Sequence, residues 1–287
     1  MSSPTAERLR AAVDTLANGG SGPAGTKEHA RAITSDLTID EVLMLHSIGW
    51  QPVDLVFGLA WWSIPWGVWQ YRTGEVAEAS SAFGAAVDEA SRTLREECRA
   101  AGGTGVVGVQ LDLDVRSHHV EIALTGTAIR PVPGAHGSGV TPPKGPPFTS
   151  DLSARDFTLL LRAGWWPTEL VAGASFVIAP RRSARQWAAQ KGQNVELTNL
   201  TTALYSAREG AMARMQELGV SQQADGIVGV RLREGPIGRG VRAMQFVALG
   251  TTVRALGEGH RALAPEMVVS MVDPVDQFDA ASLRRRR

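Results

Sequence analysis

The chain has 287 residues, 44% of them apolar and 20% charged, and its 29 basic side chains cancel 29 acidic ones. This composition excludes a disordered polymer, one cysteine excludes a disulfide scaffold, and zero net charge disfavours a strongly cationic nucleic-acid binder. The length suffices for two domains of about 100–150 residues each.

In chain order, MSSPTAERLR holds Glu7, Arg8 and Arg10 and no apolar core, so no secretory signal is read there. Residues 1–33 predict one weak helix over Ala6–Leu16 and then a flexible GGSGPAG tether. The longest uncharged apolar run, Leu55–Trp69, has 15 residues and is interrupted by Pro65. About 20 residues span a bilayer, so no transmembrane segment is expected. With one cysteine and no export signal, the expected location is the cytoplasm.

From residue 34 onward one pattern occurs twice. Thr34-Ser35-Asp36-Leu37-Thr38 recurs as Thr149-Ser150-Asp151-Leu152-Ser153, and Gly49-Trp50-Gln51-Pro52 as Gly164-Trp165-Trp166-Pro167, both at offset 115. Gly105–Val109 recurs as Gly226–Val230 at offset 121, and Gly126-Thr127 as Gly250-Thr251 at offset 124. An offset that grows in steps indicates small insertions in a duplicated unit.

Each copy predicts the same elements. A short helix comes first, with Ser35 or Asp36, and Asp151 or Ser153, as N-caps and Gly49 and Gly164 as stops. Apolar strands follow over Val53–Leu59 and Thr168–Val177. Long helices follow over about Ala82–Ala101 and Leu200–Leu218. Their stripes, Phe83, Val87, Ala90, Leu94, Cys98, Ala101 and Leu200, Leu204, Ala207, Ala211, Met215, Leu218, share one spacing, which sets Cys98 against Met215. A hairpin closes each copy, with partner strands over Val120–Ile129 and Ala243–Val253. Pro131–Phe148, with six prolines and four glycines, predicts a linker with no element of its own, and LRRRR predicts a frayed tail.

The helix AVDEASRTLREECRAAGGTGVVGVQLD followed by a strand ending ALTGTAIR resembles the YbjQ-like family of bacterial proteins, labelled heavy-metal-binding. The matching positions are Gly103–Val109 and Gly126–Ile129, then Ala224–Val230 and Gly250–Val253. The resemblance implies small βαββ units that assemble into rings, typically pentamers. Two features depart from it: the unit occurs twice, and Trp61-Trp62-Ser63-Ile64-Pro65-Trp66 replaces a glycine-rich segment.

Asp112, Asp114, His118, His119 and Glu121 form the candidate metal cluster, with oxygen and imidazole donors brought near by the hairpin. The competing reading is a solvated hairpin, and the specific zinc spacings are absent. Cys98 reads as core rather than as a soft-metal ligand. Gly103–Gly108 fits G-x-G-x-x-G but leaves a helix and opens a strand, so it reads as a helix stop with close strand packing, not a nucleotide loop. Trp50 and Trp165 read as structural. Trp61, Trp62, Trp66 and Trp69 have no tryptophan counterparts and are read as interface residues, with core or partner contact as alternatives. Of Trp61 and Trp62, neighbours on a strand, only one can face inward. Residues 34–133 carry net charge −7 and residues 149–256 net +5, which suits attraction between unlike faces.

The expected fold class is α+β: two tandem two-layer βαββ domains, YbjQ-like and dodecin-like, over 34–131 and 149–256, each preceded by a short helix. Residues 1–33, 132–148 and 257–287 are then tether, linker and tail. The expected role is a non-catalytic ring-forming scaffold or small-ligand-binding protein, a five-fold homo-oligomer with no cofactor and no nucleic acid. A protein partner at the Trp-rich segment is left open. A divalent-metal-binding stress protein and an enzyme with an intersubunit site are the alternatives.

Overall fold

The computed structural model describes residues 33–69, 73–132, 142–181, 196–237 and 242–257. The expected helix Ala6–Leu16, the tether, half of the Pro/Gly linker (133–141) and the LRRRR tail lie outside the described residues.

Helix α1 spans Ile39–Ser47 and starts one turn later than Ser35 or Asp36 would set it. Thr38 is the N-cap: its side chain accepts from Glu41 N while Glu41 accepts from Thr38 N, a reciprocal box that satisfies two otherwise orphaned donors. Ser35 and Asp36 are engaged elsewhere, Ser35 Oγ by Leu37 N and Asp36 by Thr127. Gly49 at φ 74° ends this segment. Strand β1 (Trp50–Ser63) runs four residues further than Val53–Leu59 predicts at its far end, because it pairs with β4 as far as Ser63↔His119.

A two-residue strand β2 (Gly74–Glu75) leads into helix α2 (Ala77–Ala100). The hairpin β3 (Gly105–Val115) and β4 (His119–Pro131) follows. The linker is not featureless, since its end forms β5 (Phe148–Thr149). Helix α3 (Ala154–Arg162) is capped by Ser153, whose Oγ accepts from Asp156 N at 3.1 Å. Then come β6 (Trp165–Ile178), α4 (Thr198–Ser221), β7 (Gly226–Pro236) and β8 (Ala243–Ala255).

The result is a mixed α+β fold with two four-stranded sheets. Sheet one has the order β1-β4-β3-β5 and sheet two β2-β6-β8-β7. Their registers correspond: Trp50 faces Pro131 and Trp165 faces Ala255, and both central hairpins carry a bulge after Val107 or Val228. Gly108 (φ 66°) and Gly229 (φ 68°) sit at those bulges in a left-handed conformation that favours glycine. Each half lends a short strand to the other sheet. β2 pairs with Val177–Ile178 of β6, and β5 pairs in parallel with Gly105–Val106 of β3.

Close approach fixes where each long helix crosses its sheet. A Cβ on Gly58 would lie 2.0 Å from Ala90 O, and one on Gly173 2.2 Å from Ala211 O. Ala90 is therefore equivalent to Ala211, and the helices correspond at offset 121 over their whole length. This corrects the expected pairing of Cys98 with Met215: Leu94 is the equivalent of Met215, and Cys98 that of Gly219. The error is one helical turn, which leaves a stripe of the same period in place.

Helix α2 is buried on two sides. One core joins it to Val56, Ala60 and Leu124 of sheet one and to Leu170, Ala174 and Phe176 of sheet two. Helix α4 packs on the opposite face of sheet two, against Val171, Val177 and Ala248. A second cluster sits where α1 meets α3, with Trp50 edge-on to Phe148 and Phe157 and tilted against Trp166.

Candidate interface site

Equivalent surfaces of the two halves differ in what covers them. On β1, Val56, Gly58 and Ala60 point to α2, so Leu55, Phe57, Leu59 and Trp61 point the other way. Phe57, Leu59 and Trp61 are 51%, 56% and 65% exposed. Their equivalents on β6, Ala172, Ala174 and Phe176, are buried, with Phe83 of α2 6.2 Å from Phe176 between ring centroids. Among the described residues, sheet two thus has helices on both faces and sheet one on a single face.

Helix α4 and strand β7 show the complementary deficit. Ser80, Phe83, Val87 and Ser91 of α2 are buried towards sheet two, whereas their equivalents Thr201, Leu204, Arg208 and Met212 are half-buried or exposed. Val109 and Leu111 of β3 are buried, but Val230 and Leu232 of β7 are exposed. Between α4 and β7 lies a groove of about 480 Å³ lined by Leu204, Tyr205, Arg208, Leu232, Glu234 and Phe246.

The tryptophans divide by position. Trp61 and Trp62 are both exposed, contrary to the expectation that one faces inward, although Ala60 and Ile64, two residues to either side of Trp62, are buried. Trp66 is 86% exposed. Trp69 turns inward and meets Phe176 edge-on at 6.4 Å. Trp61 stacks on His119 at 5.7 Å, and Trp66 on His118 at 5.8 Å.

The five candidate metal ligands lie at one end of sheet one without converging. Asp112, Asp114 and Glu121 share its outer face, as their pairings Asp112↔Ala123 and Asp114↔Glu121 require. Asp114 is paired with Arg116, whose Nε donates to it at 2.7 Å, and both histidine rings are engaged by tryptophans. Among the described residues no group of three or more His, Cys, Asp or Glu side chains is placed to hold a metal ion.

Cys98 lies in the core, and burial pushes its thiol up to about 12. The glycine motif packs tightly: a Cβ on Gly105 would lie 2.0 Å from the Phe148 ring, and one on Gly103 2.7 Å from Cys98 Sγ. Asp151 is the one fully buried carboxylate among the described residues. Thr251 Oγ1 donates to its Oδ1 at 2.6 Å, while Oδ2 has no hydrogen-bond partner and Arg231 Nε stands 3.6 Å away. Burial raises its pKa above the ordinary carboxylate value, against the lowering effects of Thr251 and Arg231.

Phe57, Leu59, Leu204 and Leu232 are the site residues that sequence reasoning missed. The signal for the first two was present: Leu55–Trp61 is apolar on both alternating faces, the pattern of a strand covered on both sides.

A curated protein, the encapsulin nanocompartment protein Rv1762c of Mycobacterium tuberculosis, is 33% identical over 251 residues, covering 84% of this chain and 92% of that protein. This chain belongs to its family. The YbjQ family, described as "Putative heavy-metal-binding", matches residues 189–255, which include α4, β7 and β8. No solved structure matches the chain. No helix among the described residues is long and apolar enough to cross a membrane.

Proposed function

We propose that the chain is a non-catalytic, self-assembling scaffold made of two YbjQ-like βαββ units, and a component of a protein nanocompartment. The observation that carries this reading is the apolar outer face of sheet one, left open where the equivalent face of sheet two is closed by a helix. An aromatic, aliphatic strip of that kind is costly in water and marks a contact surface. The relative's name supports a role in a nanocompartment, and the YbjQ resemblance supports a closed ring of five chains. Trp62 and Trp66 extend the contact beyond the strip. Native mass spectrometry of the purified chain tests this. Five copies of the 30.6 kDa chain are expected; a monomer would refute the scaffold, and a different multiple only the five-fold count.

A further inference from the structure

The two halves leave different surfaces open, and the contact between the halves shows how each would be covered. Inside the chain, sheet two is closed by four things from the first half. Phe83 of α2 packs on Phe176. Arg95 of α2 forms an ion pair with Glu169 of β6. Leu111 of β3 is buried beside sheet two and accepts from Arg233 at 2.8 Å through its carbonyl. Val76 N donates to Phe176 O at 2.7 Å, extending the sheet edge. Each first-half residue in this set, Phe83, Arg95, Leu111 and Val76, has an equivalent in the second half, at offset 121: Leu204, Gln216, Leu232 and Leu197. Of their second-half partners, the Phe176 ring, Glu169 and the Phe176 carbonyl have equivalents in the first half: the Trp61 ring, Asp54 and the Trp61 carbonyl. Leu232 and Trp61 are exposed, and Leu204 is half-buried.

We infer that α4 and β7 of one chain cover the outer face of sheet one of the next chain, repeating head-to-tail the contact that α2 and β3 make with sheet two inside each chain. This rests on the self-assembly reading and names its geometry: Trp61 of one copy enters the groove beside Leu204 and Leu232 of another.

The charges fit this pairing and not the reverse. On the helix face that covers a sheet, α2 has Val87 and α4 has Arg208. On the sheet faces to be covered, sheet two has Arg233, Gly235 and Gln245, whereas sheet one has Asp112, Asp114 and Glu121. Arg208, which shares the groove with one carboxylate, Glu234, therefore sits on the helix that would meet the acidic sheet. A two-fold contact of sheet one with itself would instead set these acids against their own copies, which is unfavourable. The edges agree as well. Ser150 N donates to Val106 O at 2.9 Å within the chain, and the equivalents, Ser35 and Ile227, lie at the open ends of the two halves. A closed ring built this way contains an even number of units, two per chain.

Cysteine cross-linking of the full chain tests the geometry. Trp61→Cys and Leu204→Cys are placed singly and together; native Cys98 is buried and stays silent. With a short bismaleimide, the double variant is expected to give a ladder of covalent multimers and each single variant none. Dimers from Trp61→Cys alone would show a two-fold contact and overturn the head-to-tail arrangement while leaving self-assembly intact. An oligomer by light scattering with no ladder would also overturn it. A wild-type monomer would overturn both readings. As a second measurement that leaves both cysteine sites native, Arg208→Glu is expected to lower the oligomer's affinity at least tenfold; unchanged affinity would contradict the charge pairing.

Discussion

Trp61 and Phe176 occupy equivalent places on β1 and β6, yet one is 65% exposed and the other fully buried. Burying an indole removes roughly 150–250 Å² from water, which at about 25 cal/mol per Å² is worth a few kcal/mol. Trp61→Ala should therefore raise the dissociation midpoint of the oligomer by at least tenfold in a dilution series, with little change in the melting temperature of the separated chain. A large fall in that melting temperature would show that Trp61 supports the fold instead. Asp151 carries a pH prediction. Its folded-state pKa lies above the ordinary carboxylate value, so the folded chain holds its proton more tightly than the unfolded chain. Its contribution favours folding below the ordinary value and is lost as pH rises through the raised one. Asp151→Asn should remove that loss, so the urea stability of wild type relative to the variant should fall as pH rises from about 4 towards neutrality. A difference that does not change with pH would contradict the assignment. The acid and histidine cluster gives a third test. Titration calorimetry with zinc, nickel and manganese should show no heat that Asp112→Asn with His119→Ala removes; a heat lost in that variant would establish a metal site on the hairpin.

At the scale of elements, the helices, strands and their order were legible because amphipathic periodicity and the echoed glycines mark them directly. The helix register was not. A stripe repeats after one turn, so only the contact of Gly58 with Ala90 and of Gly173 with Ala211 distinguishes offset 121 from 117. Cap positions were also ambiguous, since Ser35, Asp36 and Thr38 are all good caps and tertiary bonds to Thr127 decide between them. The two short strands β2 and β5 were invisible, because two residues carry no period and their partners lie in the other half. The close crossings make a sharp prediction. Gly58→Ala places a methyl inside the Ala90 carbonyl and should cost about 1–3 kcal/mol by overpacking. Gly84→Ala, on helix α2 itself and with open space around it, should stabilise by about 0.5–1 kcal/mol. Chemical denaturation of both variants checks this; equal effects would mean that the helix does not rest on β1 at Gly58.

For the whole molecule, exposure depends on what the second layer covers, and that was the part of the site the sequence left unread. Trp61 shares the outer face of β1 with Phe57 and Leu59, whose exposure depends on the absence of a covering helix there among the described residues, something no local pattern encodes. In the proposed contact the acidic outer face of sheet one, Asp112, Asp114 and Glu121, would meet Arg208 of α4, a helix whose two arginines are balanced by two glutamates. Charge attraction is screened within about 8 Å at physiological salt, so in the proposed contact the apolar residues would set affinity and the charges register and rate. Light scattering of the wild-type chain at micromolar concentration, beside Phe57→Glu, tests the central claim most directly. The account predicts a mass several times 30.6 kDa for the wild type and a single chain for the variant, in which a charge enters the open face. A wild-type mass of one chain, or an oligomer indifferent to Phe57→Glu, would contradict it.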